Sequence, residues 1–459
     1  MIDLDDKKAA LLVSTAASFM TPFMASTVNI ALPSIGRTFA MDAIALSWVA
    51  TSYLLAAAMF LVPFGRLADI YGRKRIFVYG VIMYTVVSLL SAVAPSGTLL
   101  ILLRGLQGVA GAMIFGTSVA ILTSVYPASE RGRVLGINVA AVYVGLSIGP
   151  FVGGFLTQHL GWRSVFVANA LLGGLIIPFV LWRLRSEWAE ARGERFDILG
   201  SILYSASLIV IMYGFSILPA TRGIWTTLAG LLALVAFILW ELRAKNPLLD
   251  INLFRHNAVF AFSNVAALIN YSATSAVTFL LSIYLQYVKG LSPQTAGFIL
   301  VSQPVVMALF SPLAGRLSDK IEPRVVASLG MTFIVIGLAL FAFSGGETSL
   351  LMVTINLVLL GFGFALFSSP NTNAVMSAVE KRWYGVAAAT LGTMRLTGQM
   401  LSMGIVMLVL AVTMGRVAII PEYYPEFLKG MKASFIIFSA LCVVGIFASL
   451  ARGKVRHTA

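Results

Sequence analysis

Long apolar runs alternate with short polar turns along the whole chain. The runs fall at approximately 10–33, 43–64, 75–94, 98–122, 133–157, 164–183, 199–218, 224–242, 260–287, 293–314, 325–344, 349–378, 384–414 and 431–451. As a helix, each is long enough to cross the ~30 Å hydrocarbon core of a bilayer, which takes about 20 residues. Gly and Pro inside the runs do not argue against helix, because neighbouring helices in a bundle re-satisfy the backbone. Two of the polar turns are alike. GRLADIYGRKR, Gly65 to Arg75, follows the second run, and GRLSDK, Gly315 to Lys320, follows the tenth. Similar turns at equivalent places predict two similar bundles, an internal repeat of the kind transporters are built from. Eight runs separate Asp69 from Asp319, where a simple six-helix repeat would place six. Two helices are therefore inserted, most simply the pair at about 199–242, flanked by the charged linkers RLRSEWAEARGERFD and ELRAKNPLLDINLFRHN. The expected fold is an all-α membrane protein of fourteen transmembrane helices. It comprises a six-helix bundle at 1–184, charged linkers and the inserted pair at 185–256, and a second six-helix bundle at 257–459.

Composition strengthens the membrane reading. The chain is 59% hydrophobic and 11% charged, with a mean hydropathy of +0.94, whereas a soluble domain carries roughly 25% charged residues. The net charge of +14 would suit nucleic acid if the cations formed one patch, but they sort by side. With the N-terminus in the cytoplasm, Arg37, Arg163, Arg222, Lys289, Arg416, Lys429 and Lys432 fall outside and Arg104 and Arg395 within spans; the other cations fall inside. This is the positive-inside bias of a multi-pass protein with both termini cytoplasmic, and it leaves no case for a nucleic-acid partner. Cys442 is the only cysteine, and His159, His256 and His457 lie far apart, so neither a disulfide nor a metal cluster is expected. The start, MIDLDDKKAA, lacks a basic leader and cleavage site, so the first run reads as a retained span. No GxxxxGK[ST] phosphate loop and no catalytic set is found, so neither an enzyme nor a resident cofactor is expected.

The polar residues inside this apolar frame are the candidates for function. In the first turn, Gly65 and Gly72 allow close backbone approach. Asp69 can pair with a cation or a helix N-terminus on a neighbouring helix. Gly65, Asp69, Gly72, Arg73 and Asp319 thus form a candidate conformational latch, although Arg73, Lys74 and Arg75 could equally hold anionic lipid headgroups. Arg104 lies about six residues into a span, roughly 9 Å at 1.5 Å per residue. An Arg at a helix centre costs about 2.5–3.5 kcal/mol on insertion scales, which favours a function over an Arg that snorkels to the outer surface. Gln107 sits one turn along, and Arg395 with Gln399 forms an i, i+4 counterpart in the thirteenth run. Asn29, Tyr53, Asn270, Tyr271, Gln303, Asn356, Asn371 and Asn373 are the remaining polar candidates, each as able to bond a neighbouring helix as to meet a ligand. Gly145, Gly149 and Gly153 recur every four residues beside Gly154, a stripe that lets helices pack closely, and Pro150 can kink the helix.

Several of these stretches together resemble a known family. GRLADIYGRKR is similar to the loop signature of the major facilitator superfamily, RGLQG at Arg104–Gly108 to its fourth-helix motif, and GLSIGPFVGG at Gly145–Gly154 to the fifth-helix motif of its antiporters. STVNIALP near Asn29, WVATSYLL at Trp48, WRSVFVAN at Trp162 and the inserted pair resemble the fourteen-helix drug/proton antiporter family. The resemblance implies alternating access in a prokaryotic cell membrane. Two halves would rock around a midplane site, the inserted pair peripheral, to export a small hydrophobic or amphipathic compound as a monomer against protons. It also implies a part for Arg104 in proton handling or cavity electrostatics. The chain departs from the pattern in one respect. Met24 stands where the family usually carries an Asp, and none of the eighteen acids lies mid-membrane. With Arg104 and Arg395 buried and no acid beside them, the cavity should lean positive, favouring neutral, amphipathic or anionic substrates, or coupling through Asp42 at the outer end of helix two. The alternatives are a uniporter or an organic-anion or lipid-like exporter without carboxylate coupling, and a non-transporting sensor or scaffold.

Overall fold

The computed structural model describes residues 4–184, 186–244, 247–249, 251–380 and 384–453. Among them are fourteen helices long and apolar enough to span a membrane. In chain order they are α1 (Leu4–Phe39), α2 (Ala43–Tyr71), α3 (Arg73–Ala92), α4 (Gly97–Val125), α5 (Ala128–Leu160), α6 (Arg163–Arg183) and α7 (Ile198–Ile217). The rest are α8 (Thr221–Glu241), α9 (Ala258–Val288), α10 (Pro293–Ser318), α11 (Pro323–Ala342), α12 (Leu350–Ser377), α13 (Tyr384–Thr413) and α14 (Tyr424–Ala451). The turns start helices by side-chain capping: Asp42 accepts from Ala45 N at 2.7 Å, Asp197 from Gly200 N at 2.8 Å and Asn257 from Phe260 N at 2.9 Å. Each cap satisfies a backbone donor that the first helical turn leaves free.

The packing repeats with an offset of eight helices. α1 lies on α5, α2 on α4, and α3 on α4 and α6; α9 lies on α13, α10 on α12, and α11 on α12 and α14. The two sets meet along two seams, α2 with α13 and α5 with α10. Helices α7 and α8 pair with each other, and α7 packs across the first seam, against both α2 and α13. There Leu55, Met59 and Val62 of α2 form an apolar cluster with Tyr204, Leu208 and Met212 of α7 and Met400 of α13.

An even number of spans leaves both termini at one end, called here the terminal end; the far end carries Asp42 and His159. At the terminal end of the second set, Arg452 is 1% exposed. It donates to Asn371 Oδ1 at 3.0 Å, Ser449 Oγ at 2.8 Å and Ser263 Oγ at 3.2 Å, joining α14 to α12 and α9. Burial, then the nearby Arg324, push its guanidinium down to about 10, so it stays charged at neutral pH inside a cage of neutral acceptors. Asn371 is thereby a structural residue rather than a cavity one. Asn356 likewise bonds Gly337 O at 2.9 Å, and Asn373 bonds Ser318 Oγ at 3.0 Å.

Candidate functional site

A cavity of about 290 Å³ lies between the two sets at mid-membrane. Asn29, Tyr53, Arg104, Gln303, Arg395 and Gln399 all line it, as do Pro150 and Tyr271. Helices α9 and α10 are broken beside it: α9 runs as separate helices before Thr274 and after Val277, and α10 is interrupted at Val301. Irregular backbone at membrane depth is tolerated where it lines a cavity, and Thr274, Ser275 and Leu300 are lining residues. Beyond the cavity, towards the far end, the two sets are bonded directly. Ser282 Oγ donates to Asn29 O at 2.6 Å, Gln286 Nε2 to Ile30 O at 2.9 Å, and Tyr287 Oη to Pro33 O at 3.1 Å. Nearer the terminal end, Tyr143 Oη and Ser368 Oγ lie 3.3 Å apart across the same gap.

The two intramembrane arginines are held differently. Arg104 is 2% exposed. Its Nε donates to Val49 O at 3.1 Å and its Nη1 to Gln107 Oε1. Gln107 in turn donates to Ser88 Oγ at 2.7 Å, and the guanidinium sits 4.6 Å from the Tyr53 ring centroid. Gln107 therefore orients Arg104 from behind and does not line the cavity. Arg395 is partly exposed to the cavity, its guanidinium 5.5 Å from the Phe115 centroid and 5.7 Å from that of Tyr271. Gln399 lies one turn along on the same wall, with no hydrogen bond between the two. No Asp or Glu is among the lining residues, so two cations from opposite halves face one space without a carboxylate between them. Phe115, Asn138, Tyr143 and Phe364 also line it. Phe115 and Phe364 were not legible as site residues, because phenylalanines inside apolar runs look the same in sequence whether they face lipid, core or cavity. Asn138 and Tyr143 carry the same signal as Asn29 and Tyr53, a polar group in an apolar run, and could have been found by it.

The GRLADIYGRKR turn is bound up with the segment after α6. Arg73, 7% exposed, bonds Asp69 Oδ1 at 2.8 Å and takes Glu190 through two bonds of 2.8 and 3.0 Å, with Ser124 Oγ as a further partner. Glu187 accepts from Lys74 N at 2.9 Å and lies 3.7 Å from Arg75; Glu194 pairs with Arg66. The backbones are joined too, Arg73 N to Trp188 O at 2.8 Å and Ala191 N to Asp69 O at 3.0 Å. Gly72 has φ of 122°, a backbone conformation that favours glycine, and a Cβ there would fall 2.5 Å from the Glu187 carboxyl carbon and displace that side chain. Asp69, in the last turn of α2, pairs with Arg73, the first residue of α3, and so meets a cation on the neighbouring helix. One expectation changes: Arg73 is enclosed by protein and not available to a lipid headgroup. Gly65 has open space where a Cβ would point, although a Cβ on Gly116 of α4 would come within 3.6 Å of its backbone, and the side chain of Asp319 lies outside the described residues.

The fifth-helix stripe divides between two partners. A Cβ on Gly145 would fall 2.6 Å from Phe19 O, on Gly149 2.5 Å from Ser26 Cβ, and on Gly153 2.7 Å from Thr27 Cα. These three glycines seat α5 on α1 within one half. The contact between halves is made by the next residue round the helix: a Cβ on Gly154 would fall 2.6 Å from Pro293 O, and one on Gly297 of α10 would collide with Pro150 O. The spacing of four in the sequence marked close packing but not which helix was packed. Asp42, the candidate coupling acid, caps α2 at the far end and does not line the cavity.

Comparison with known proteins agrees with this geometry. The Major Facilitator Superfamily profile matches residues 15–403 and 263–458. The chain is 30% identical to the riboflavin transporter RibZ of Clostridioides difficile over 85% of its own length and 86% of that protein's. It is 32% identical to the multidrug resistance protein Stp of Mycobacterium tuberculosis, over 87% and 75% of the two chains, and 30% identical to the puromycin resistance protein pur8 of Streptomyces alboniger, over 84% and 78%. Among solved structures, a bacterial homologue of the human lysosomal transporter Spinster, inward-facing and unoccupied, superposes with a TM-score of 0.72 at 17% identity, covering 99% of both chains. The recurring helix pairings, the central cavity and these matches together identify this multi-pass membrane protein as a transporter belonging to the major facilitator superfamily.

Proposed function

We propose that the chain exports small aromatic, amphipathic compounds, neutral or anionic, across a prokaryotic cell membrane by alternating access, in exchange for protons, with both termini in the cytoplasm. The observation that carries the substrate class is the cavity wall: Arg104 and Arg395 from opposite halves, aromatic rings at Tyr53, Phe115, Tyr143, Tyr271 and Phe364, and no acid. A positive, low-dielectric site repels a lipophilic cation and attracts an anion or a polarised ring carbonyl. Its volume of about 290 Å³ is near the lower limit of small-molecule sites. The names of the resistance relatives support export, and that of RibZ supports a planar aromatic cargo. The two halves, 1–184 and 257–459, would exchange the far-end bonds around Asn29, Ile30 and Pro33 for closure at the terminal end.

One observation favours a second reading of the energy source. With no acid on the cavity wall, proton and substrate have no carboxylate there to compete for, and Asp42 is engaged as a helix cap. Anion uniport out of a cell that is negative inside would then suffice, since the potential contributes about 2.3 kcal/mol per charge per 100 mV. Efflux from loaded vesicles separates the readings. Nigericin, which collapses the pH gradient, should slow export only if protons are exchanged. Valinomycin with potassium, which collapses the potential, should slow export in both cases, because both carry net positive charge inward, and should abolish it if the anion leaves alone. Efflux of a lipophilic cationic dye in preference to neutral and anionic aromatics would overturn the substrate class.

A further inference from the structure

A second recess, outside the transport pathway, opens on the membrane-facing surface between α1 and α6. Leu12, Val13, Ala16 and Phe19 form one wall and Leu172, Leu175, Ile176 and Phe179 the other, enclosing about 280 Å³. Each wall spans eight residues, seven rises of about 1.5 Å, so the groove runs about 10 Å along the helices. Its lining is entirely apolar, and its rim residues Leu12 and Leu175 are 55% and 74% exposed. Helices α1 and α6 are antiparallel neighbours, and the groove occupies their halves nearer the terminal end.

The charges at its mouth make it more than a gap filled by any hydrocarbon. Lys8 precedes Leu12 by four residues and Arg183 follows Phe179 by four, so each cation sits on the face of its helix that lines the groove, about 6 Å further towards the terminal end. Both are exposed, and the Arg183 guanidinium lies 4.7 Å from the ring centroid of Trp182, itself 70% exposed. Long cationic side chains carry their charge to the headgroup level while their stems stay in apolar surroundings. A ring beside such a cation is the usual furniture of the interface. Lys7, by contrast, turns inward to Glu130 at 3.7 Å and to the Tyr126 ring. We propose that this groove is a binding site for an anionic phospholipid of the leaflet at the terminal end. An acyl chain lies along Leu12–Phe19 and Leu172–Phe179, and the phosphodiester sits between Lys8 and Arg183.

The test is native mass spectrometry of the full chain in detergent, titrated with equal amounts of phosphatidylglycerol and phosphatidylethanolamine. Wild type should retain one phosphatidylglycerol in preference. The variant Lys8→Gln/Arg183→Gln, altered at two exposed positions, should keep its thermal midpoint and lose that preference by roughly thirtyfold, since each cation near an anionic surface contributes about 1 kcal/mol and two are removed. Equal retention of the two lipids by wild type, or undiminished preference in the variant, overturns the proposal. Excess glycerol phosphate supplies the headgroup without the tail and should not compete; effective competition would leave the groove without a part and also overturn it. Displacement by an aromatic amphiphile irrespective of lipid charge would assign the groove to substrate instead.

Discussion

Arg104 and Arg395 are both cations at membrane depth, yet their surroundings give them different work. Arg104 is buried against Val49 O and Gln107; Arg395 leans over two aromatic rings and faces the cavity. Arg104→Ala would leave a buried carbonyl and a buried amide without their donor, a loss of about 1–3 kcal/mol. It should lower the thermal midpoint in detergent as well as transport. Arg395→Gln should leave the midpoint unchanged and raise KM for anionic substrates by about tenfold or more, the effect of removing a bond to a charged group, while sparing neutral ones. Equal effects on both substrate classes would remove Arg395 from substrate recognition. That both arginines stand apart was legible in the sequence, because a charge in an apolar run is conspicuous. Which of them is satisfied was not, because the partners of Arg104 include a backbone carbonyl on another helix, which no side-chain pattern reports. Phe115 and Phe364 were missed for the opposite reason, as phenylalanine rings in apolar runs carry no mark of the wall they form.

Among the elements, the segment after α6 is the least expected. Read from sequence it is a charged connection; in the fold, Glu187, Glu190 and Glu194 answer Arg75, Arg73 and Arg66 of a turn more than a hundred residues earlier. Opposite charges on two loops do not disclose that they meet. Glu190→Gln should therefore weaken the docking of this segment while Asp69 still holds Arg73, and limited proteolysis between α6 and α7 should quicken by several-fold; an unchanged rate would mean that the backbone bonds from Arg73 and Asp69 suffice. The fifth helix shows the same limit. Its glycine spacing was plain, but three of the glycines serve α1 and the fourth serves α10, a division set by the rotation of α5 in the bundle. Gly297→Val would push α5 and α10 apart at Pro150. It should slow transport strongly while Gly145→Val, acting within one half, should instead reduce folded yield; comparing transport per folded molecule separates the two.

At the scale of the molecule, the spans and the fold class were legible because bilayer thickness fixes helix length and a repeated turn marks a repeated unit. The position of the inserted pair was not, since α7 and α8 are apolar all round and could have leaned on either seam. They lean on one. α7 lies across the contact of α2 with α13, whereas on the opposite flank Ile148, Phe151 and Phe155 of α5 and Phe298 and Leu309 of α10 remain exposed. The molecule thus has a walled side and a bare side. A greasy compound dissolved in the bilayer, were that the cargo, would find one flank shuttered and would have to slip in by the other, so traffic from the membrane would be one-sided even though the two halves are built alike. A photoreactive, lipid-soluble cargo should accordingly mark α5 and α10 and leave α7 clean.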